Sequence, residues 1–404
     1  WNDKLAEVKQ VYQYVKILSF DKDKKQVVIA NKYDFIDLSQ FYIDFQIIED
    51  GYEIYKGTTK LPSLKPNTIA KIKLPYNVEL NQEKESFINL QLRLKEANHW
   101  AEKDYPMAHW QFAINKIENR LKEVEESKEA FLVQEDKTQL TLENKGFKIS
   151  FDKQNGEILY WKYDGFEVIS DRKGSPHYNN NRWIENDKHG DSISGELAST
   201  CEIKLNKEKT KAEIKITTKG EKCPYTIEYT VYSNNIVDMK VTMNPIVEGL
   251  RRLGLGIIFS KDFEEIDYYA KGPWENYNDR QDASFVGRYS TTVSDMLTPY
   301  AHPQSCGNRQ EMREIFLYKK GSTKGLKIEA NQPIAFSMLH FDDKDFNKEK
   351  LHPWELEARE EVYAHFDFVQ RGLGNGSCGP QTIEKYQVPS SGTYSFTLRF
   401  SPLR

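Results

Sequence analysis

The sequence predicts an all-β protein built from two domains. Three observations lead there. Aromatic residues are abundant, with 23 Tyr and 21 Phe among 404 residues. Short runs alternate apolar and polar residues with a period of two. Gly and Pro recur between those runs. Aromatic and β-branched residues that alternate in this way pack one face of a pleated strand, and Gly or Pro ends it.

The first strands are YQYVKILSF (12–20), KQVVIANKY (25–33) and FYIDFQIIEDG (41–51). SFINLQLRLKE (86–96) and HWQFAIN (109–115) continue the pattern, with turns at DKDKK (21–25), EDG (49–51) and LKPNT (64–68). Five or more short strands of this kind predict an immunoglobulin-like β-sandwich over residues 1–125. KIENRLKEVEESKEA (116–130) is mostly charged and lacks Gly and Pro. It reads as an exposed linker with helical character at the domain boundary; the alternative is an edge strand and its turn.

The β pattern resumes near residue 131 and fills a second domain, 126–404. FKISFDKQNGEILYWKYDG (147–165) is a hairpin signal through its Asn-Gly pair. CEIKLNKEKTKAEIKITTKG (201–220), YTIEYTVYSNNIVDMKVTMNP (225–245), LKIEA (326–330), IAFSMLHF (334–341) and TYSFTLRF (393–400) follow in the same style. This is more than a seven-strand sandwich holds and predicts one large antiparallel double-sheet domain. Helical character is confined to residues 2–10, 116–128 and the stretch near 348–362. With no βα alternation, a (β/α)₈ barrel is excluded.

Composition excludes several functions. The net charge is −4 with no dominant Lys/Arg block, so a nucleic-acid partner has no electrostatic footprint. No apolar run approaches the roughly 18 residues of a membrane span. Four Cys (201, 223, 306, 378) are too few for a disulfide scaffold. The chain starts at Trp1 without Met or a signal-peptide pattern, which predicts a piece of a longer protein.

The chemistry-bearing residues form no familiar metal or nucleotide motif. The eight His include no HExxH, and neither a phosphate-binding loop nor a GxSxG elbow is present. A protein-built metal site is therefore not expected, and GLGNG (372–376) precedes no helix. Paired carboxylates are the next candidates, because glycoside hydrolysis needs an acid and a nucleophile or base. RWIEND (182–187) offers Glu185 and Asp187 beside Trp183, and GPWENYNDR (272–280) offers Glu275 and Asp279 beside Arg280. The competing reading is that these carboxylates pair with nearby Arg and turn amides. Tyr277 and Tyr289 would then pack around a Gly272-Pro273 turn, and Arg280→Ala would lower stability. Trp100, Trp110, Trp183, Trp274 and Trp354 lie near polar residues, as in carbohydrate sites, or pack in the core.

These residues carry a specific resemblance. The segment 268–317 resembles the C-terminal domain of large bacterial β-galactosidases of glycoside hydrolase family 2. The matching positions are Gly272, Pro273, Glu275, Tyr277, Asp279, Arg280, Ala283, Gly287, Tyr289, Tyr300, Pro303, Gly307 and Arg309. FDFVQRGLGNGSCGP (366–380) resembles the family's last glycine-rich loop. LAEVKQVYQYV (5–15) resembles the segment entering the fourth domain, and LKEANHWAEKDYPMAHWQFAI (94–114) the end of that domain.

The resemblance implies an immunoglobulin-like β-sandwich followed by a galactose-mutarotase-like supersandwich. It also implies that the catalytic carboxylates lie on a barrel ahead of Trp1, so no catalytic residue is assigned here. Mg and Na, the cofactors of the full-length enzyme, would be held through that barrel. In many members the glycine-rich loop supplies a Trp to the sugar; here the position is Cys378. SPHYNNNRWIENDKHG (175–190) aligns with a loop bordering the active site, where Asn186 and Asp187 keep two polar positions. The substrate-binding candidates are therefore Cys378, Asn186 and Asp187. The implied partners are a β-galactoside, the barrel in cis or in trans, and further copies in a homo-oligomer. The compartment, cytoplasmic or periplasmic in a bacterium, stays open. Three functions remain in play. These are the C-terminal part of a retaining β-galactosidase, inactive alone; a separate small subunit; and a stand-alone carbohydrate-binding or mutarotase-like protein, for which His302 and His340 are the histidines to test.

Overall fold

A computed structural model describes residues 3–125, 127–185, 187, 199–220, 222–374 and 379–403. It is all-β, with one short helix, Asp3–Val11, among the described residues. The chain divides into two compact units. One runs to Glu118 and includes Asp282–Arg288; the other holds Asn119–Gln281 and Tyr289 onward.

The first unit has two antiparallel sheets. One orders the strands Val15–Asp21, Gln26–Asn31 and Ile69–Lys73. The other orders Tyr52–Lys60, Phe41–Glu49, Ser86–Leu94 and Pro106–Asn115. Alternation decides which face is covered. Phe41, Ile43, Phe45 and Ile47 are buried while Tyr42, Asp44 and Gln46 point away. The buried set meets Val27, Ile29 and Ile72 of the opposite sheet in one cluster, as in an immunoglobulin-like sandwich.

The second unit pairs a five-stranded sheet with a 12-stranded one. The strands Gln139–Asn144, Phe147–Asp152 and Ile158–Tyr163 of the smaller sheet turn Leu140, Leu142, Ile149, Phe151 and Trp161 inward. They meet Ile214, Tyr229, Met239 and Phe400 of the larger sheet. Ring contacts bridge the layers, with Phe151 5.4 Å from Tyr229 and Trp161 5.2 Å from Phe400. Each such buried ring contributes about 1.5–3 kcal/mol over exposure. This is the large double-sheet supersandwich.

Several elements differ from the sequence expectation. The Asn-Gly hairpin forms, pairing Ser150 with Tyr160, but its connection runs from Lys153 to Glu157. Only Gly156 of the pair takes the left-handed conformation (φ +78°). LKIEA and IAFSMLHF are one strand, Gly325–Leu339. The described residues of 116–128 form no helix. Their backbone is captured from outside: the Arg120 amide donates to the Asn331 carbonyl (3.0 Å). Arg399 and Asn234 donate to the carbonyls of Lys122 (2.7 Å) and Glu125 (3.0 Å). Tertiary hydrogen bonds here outweigh weak local propensity. Near 348–362 there is only a one-turn 3₁₀ segment, Pro353–Glu355, before the strand Val362–Gln370.

The strand Arg252–Phe259 (RLGLGIIF) is buried nearly throughout and lies between His177–Tyr178 and Val362–Gln370. Gly254 is required there by close approach. A Cβ at that position would run into the Asp367 carboxylate and come within 2.7 Å of the Phe366 carbonyl.

Candidate functional site

The strand Phe263–Gly272 ends in a cis Gly272–Pro273 bond, and the next residues turn sharply. Gly272 is crowded by Tyr289 and the Tyr268 hydroxyl, which leave no room for a Cβ. Tyr277 and Arg280 then exchange backbone hydrogen bonds at 2.9 Å, closing the turn.

Inside this turn Glu275 is 3% exposed. One oxygen accepts from Arg280 Nη2 and the Tyr300 hydroxyl, both at 2.5 Å. The other accepts from Thr298 Oγ1 (2.9 Å) and the Gly307 amide (2.7 Å). Burial works against the charge on Arg280, yet Tyr300 and Glu275 outweigh it and push its pKa up. Burial and Glu275 together push the Tyr277 hydroxyl well above its usual range. Four donors saturate the Glu275 carboxylate, so it has no lone pair left for acid–base or nucleophilic work.

The following residues reach the glycine-rich segment. The Asn276 amide donates to the Asn308 carbonyl (2.9 Å), Asn308 Nδ2 donates to the Asn276 carbonyl (2.7 Å), and Asn276 Oδ1 accepts from the Gln310 amide (2.8 Å). Asn278 Nδ2 donates to the Gln370 carbonyl (2.8 Å), and Asp279 Oδ2 accepts from the Gly374 amide (3.1 Å). Asp279 thus holds backbone and is not a free carboxylate.

A second set of charges converges on the same segment. Arg182 is 2% exposed and Arg371 1%. Arg182 donates to the carbonyls of Arg371 and Gly372 and to Gln370 Oε1, while Gln370 Nε2 donates to Asn308. Asp187 sits between the two guanidiniums, 3.5 Å from Arg182 Nη2 and paired with Arg371 Nη2. Burial, reinforced by neighbouring cations, lowers both arginines to about 10. The Asp187 side chain is only 3% exposed. Asp187 thus holds residues 182 and 371 together. Asn186 and Cys378 lie outside the described residues.

The remaining candidates separate. Glu185 is exposed and accepts from His302 Nδ1 at 2.7 Å. His340 meets Glu264 at 2.8 Å and the Glu361 carbonyl at 3.0 Å. The histidine that sits in a buried polar cluster is His365, which no sequence motif singled out. It lies 3.0 Å from Asp343 Oδ2, to which Asn179 also donates (3.0 Å). Arg252 stands 3.9 Å from Asp343 and 3.7 Å from Asp367. A cavity of about 90 Å³ beside this cluster is lined by His177, Asn179, Asp343, Tyr363 and His365. Only spatial proximity of four separate segments creates the group, so spacing in sequence could not show it. Among the described residues no cluster of three His, Cys, Asp or Glu is arranged to hold a metal ion, and no helix is long and apolar enough to cross a membrane.

Fold and site together define an all-β module whose buried carboxylates serve its own architecture. Comparison with known proteins identifies the lineage. The model "Beta galactosidase small chain" matches residues 143–400, and "Beta-galactosidase, domain 4" matches residues 27–115. The chain belongs to the beta galactosidase small chain family. The β-galactosidase of Priestia megaterium is 22% identical over 99% of this chain and 40% of its own length. That of Streptococcus thermophilus is 25% identical over 99% and 39%. The chain therefore spans about two fifths of these relatives and corresponds to a C-terminal part of a β-galactosidase. Among solved structures, a galactose 1-epimerase from Lactobacillus acidophilus covers 67% of this chain at 11% identity, with a TM-score of 0.36.

Proposed function

We propose that this chain completes a β-galactosidase that hydrolyses terminal β-D-galactosyl residues with retention. Its part is to build the rim of the active site and to support assembly into an oligomer. The catalytic acid and nucleophile, together with the Mg and Na ions, belong to a barrel in cis or in trans. Asn186 and Cys378 are the proposed sugar-facing positions, and Asp187 is a positioning residue for the segment carrying Asn186.

The observation that carries this reading is the saturation of Glu275 by Arg280, Tyr300, Thr298 and Gly307. A carboxylate so occupied is not free to protonate a leaving group or attack a sugar carbon, which supports a reading in which hydrolysis is supplied by another part of the enzyme. A separate small subunit is the same function delivered in trans. A stand-alone sugar-binding or mutarotase-like role gains no support from the His365 cavity, whose roughly 90 Å³ falls below the about 300 Å³ at which ligand pockets begin. The test is direct: the purified chain should not hydrolyse a nitrophenyl β-galactoside. Turnover by the chain alone would overturn the proposal.

A further inference from the structure

Two segments of the second unit hold each other through buried arginines. Arg182 leaves the first and donates to the second. Its Nη1 reaches the Arg371 carbonyl and Gln370 Oε1 (3.3 Å), and its Nη2 reaches the Gly372 carbonyl (3.2 Å). Arg371 leaves the second segment and pairs through Nη2 with Asp187 of the first. Each segment thus supplies an arginine to the other. Arg251 joins both, because its carbonyl accepts the Arg371 amide (2.9 Å) and its guanidinium donates to the Arg182 carbonyl (2.7 Å).

The two arginines are not used alike. Arg182 engages both terminal nitrogens, which fits a planar fork and no other side chain. Arg371 is held at Nη2, while its Nε and Nη1 have no hydrogen-bond partner among the described residues. That contact asks only for a cation.

Stability alone does not account for the arrangement. Two guanidiniums share one carboxylate, and all three side chains are at most 3% exposed. Apolar side chains of similar volume often hold a fold as well as buried ions do, or better. What the ions add is register, since each bond fixes one segment against the other. The grip extends along the second segment, where the Gly374 amide donates to Asp279 (3.1 Å) and a Cβ on Gly372 would come within 2.5 Å of that carboxylate. In sequence, Asn186 adjoins Asp187, and Cys378 lies four residues past Gly374.

We infer, on the function proposed above, that Arg182 and Arg371 are positioning residues for galactoside binding: they hold the two rim segments as one unit, so that loosening either weakens the hold of both on the sugar. Both are too deeply buried to touch substrate themselves.

The test uses the assembled β-galactosidase, with this chain joined to its catalytic part in cis or in trans, and nitrophenyl β-galactoside as substrate. Arg182→Lys keeps the charge but cannot span the carbonyls of residues 371 and 372. It should raise KM roughly tenfold and leave kcat within about twofold, as expected when binding shared by ground and transition states is lost. Arg371→Met should act in the same direction, and Arg371→Lys, which keeps a cation for Asp187, should bring KM back toward wild type. Arg182→Lys combined with Arg371→Met should raise KM little more than either alone, because both break one unit. A purely structural role would lower the yield of active enzyme, and with it kcat per chain, at an unchanged KM; that result would overturn the inference. So would equal KM values for Met and Lys at position 371, a comparison that decides the matter even where Arg182→Lys does not fold. A catalytic part whose KM and kcat are the same with and without this chain would instead overturn the proposed function.

Discussion

Two buried charge clusters in the second unit are built on opposite terms. Around Glu275 each carboxylate oxygen receives two hydrogen bonds, from Arg280, Tyr300, Thr298 and Gly307. Around Arg252 the charges approach only to 3.7 and 3.9 Å, and neither oxygen of Asp367 has a hydrogen-bond partner among the described residues. The first cluster offsets the cost of burying Glu275 through short bonds to both of its oxygens. The second leaves part of that cost standing, as the directions of its pKa values record. Burial raises Asp367 despite the attraction of Arg252 and His365. Burial also pushes Asp343 upward, but His365, Arg252 and Asn179 outweigh it and bring it to about 2. Saturation thus marks the charges that hold the fold, and incomplete bonding marks those packed in for geometry.

The largest expected effect breaks the saturated side. Arg280→Ala leaves Glu275 buried without its cation and should cost about 3–5 kcal/mol. A denaturant titration reads this directly, and sugar specificity in an assembled enzyme should not change. Stability equal to wild type would mean that the network does not hold the turn.

A smaller loss is expected on the other side. Gly254→Ala pushes a Cβ into the Asp367 carboxylate and toward the Phe366 carbonyl. Such overpacking costs about 1–3 kcal/mol. Thermal unfolding of that variant beside Gly256→Ala, whose nearest neighbour is the His177 ring at 3.0 Å, would show whether the Asp367 contact is the tighter one.

The smallest effect sharpens the contrast through pH. Asp343 is depressed in the folded state, so its stabilisation is full above its ordinary value of 3.8 and disappears as pH falls through about 2. Asp367 is raised, so the folded state holds its proton more tightly and acidification adds stability from that group. Asp343→Asn should therefore flatten the acid loss of stability between about pH 4 and 2, measured by urea unfolding. Asp367→Asn should instead remove a gain that develops above about pH 4 and leave the slope between pH 4 and 2 unchanged. Identical pH profiles for both variants would contradict the distinction.

Much of this architecture is legible in the sequence, for physical reasons. Phe41 to Ile47 and Lys211 to Thr218 alternate cleanly, because one face of each strand is covered and the other is solvated. The turn at Gly272 is readable because its polar residues are neighbours in sequence. The cluster of His365, Asp343, Asn179 and Arg252 is not, because four separate segments bring it together. The strand Arg252–Phe259 escapes the period-two signal because both its faces are buried.

The central claim is that this chain contributes no chemistry of its own and completes an enzyme whose catalytic part lies elsewhere. The most direct measurement titrates the 404-residue chain into a fixed amount of the separately produced catalytic polypeptide and follows nitrophenyl β-galactoside hydrolysis. The account predicts no turnover from this chain alone and a saturable rise in turnover as it is added. Turnover by the chain alone, or a catalytic polypeptide whose rate ignores the addition, would contradict it.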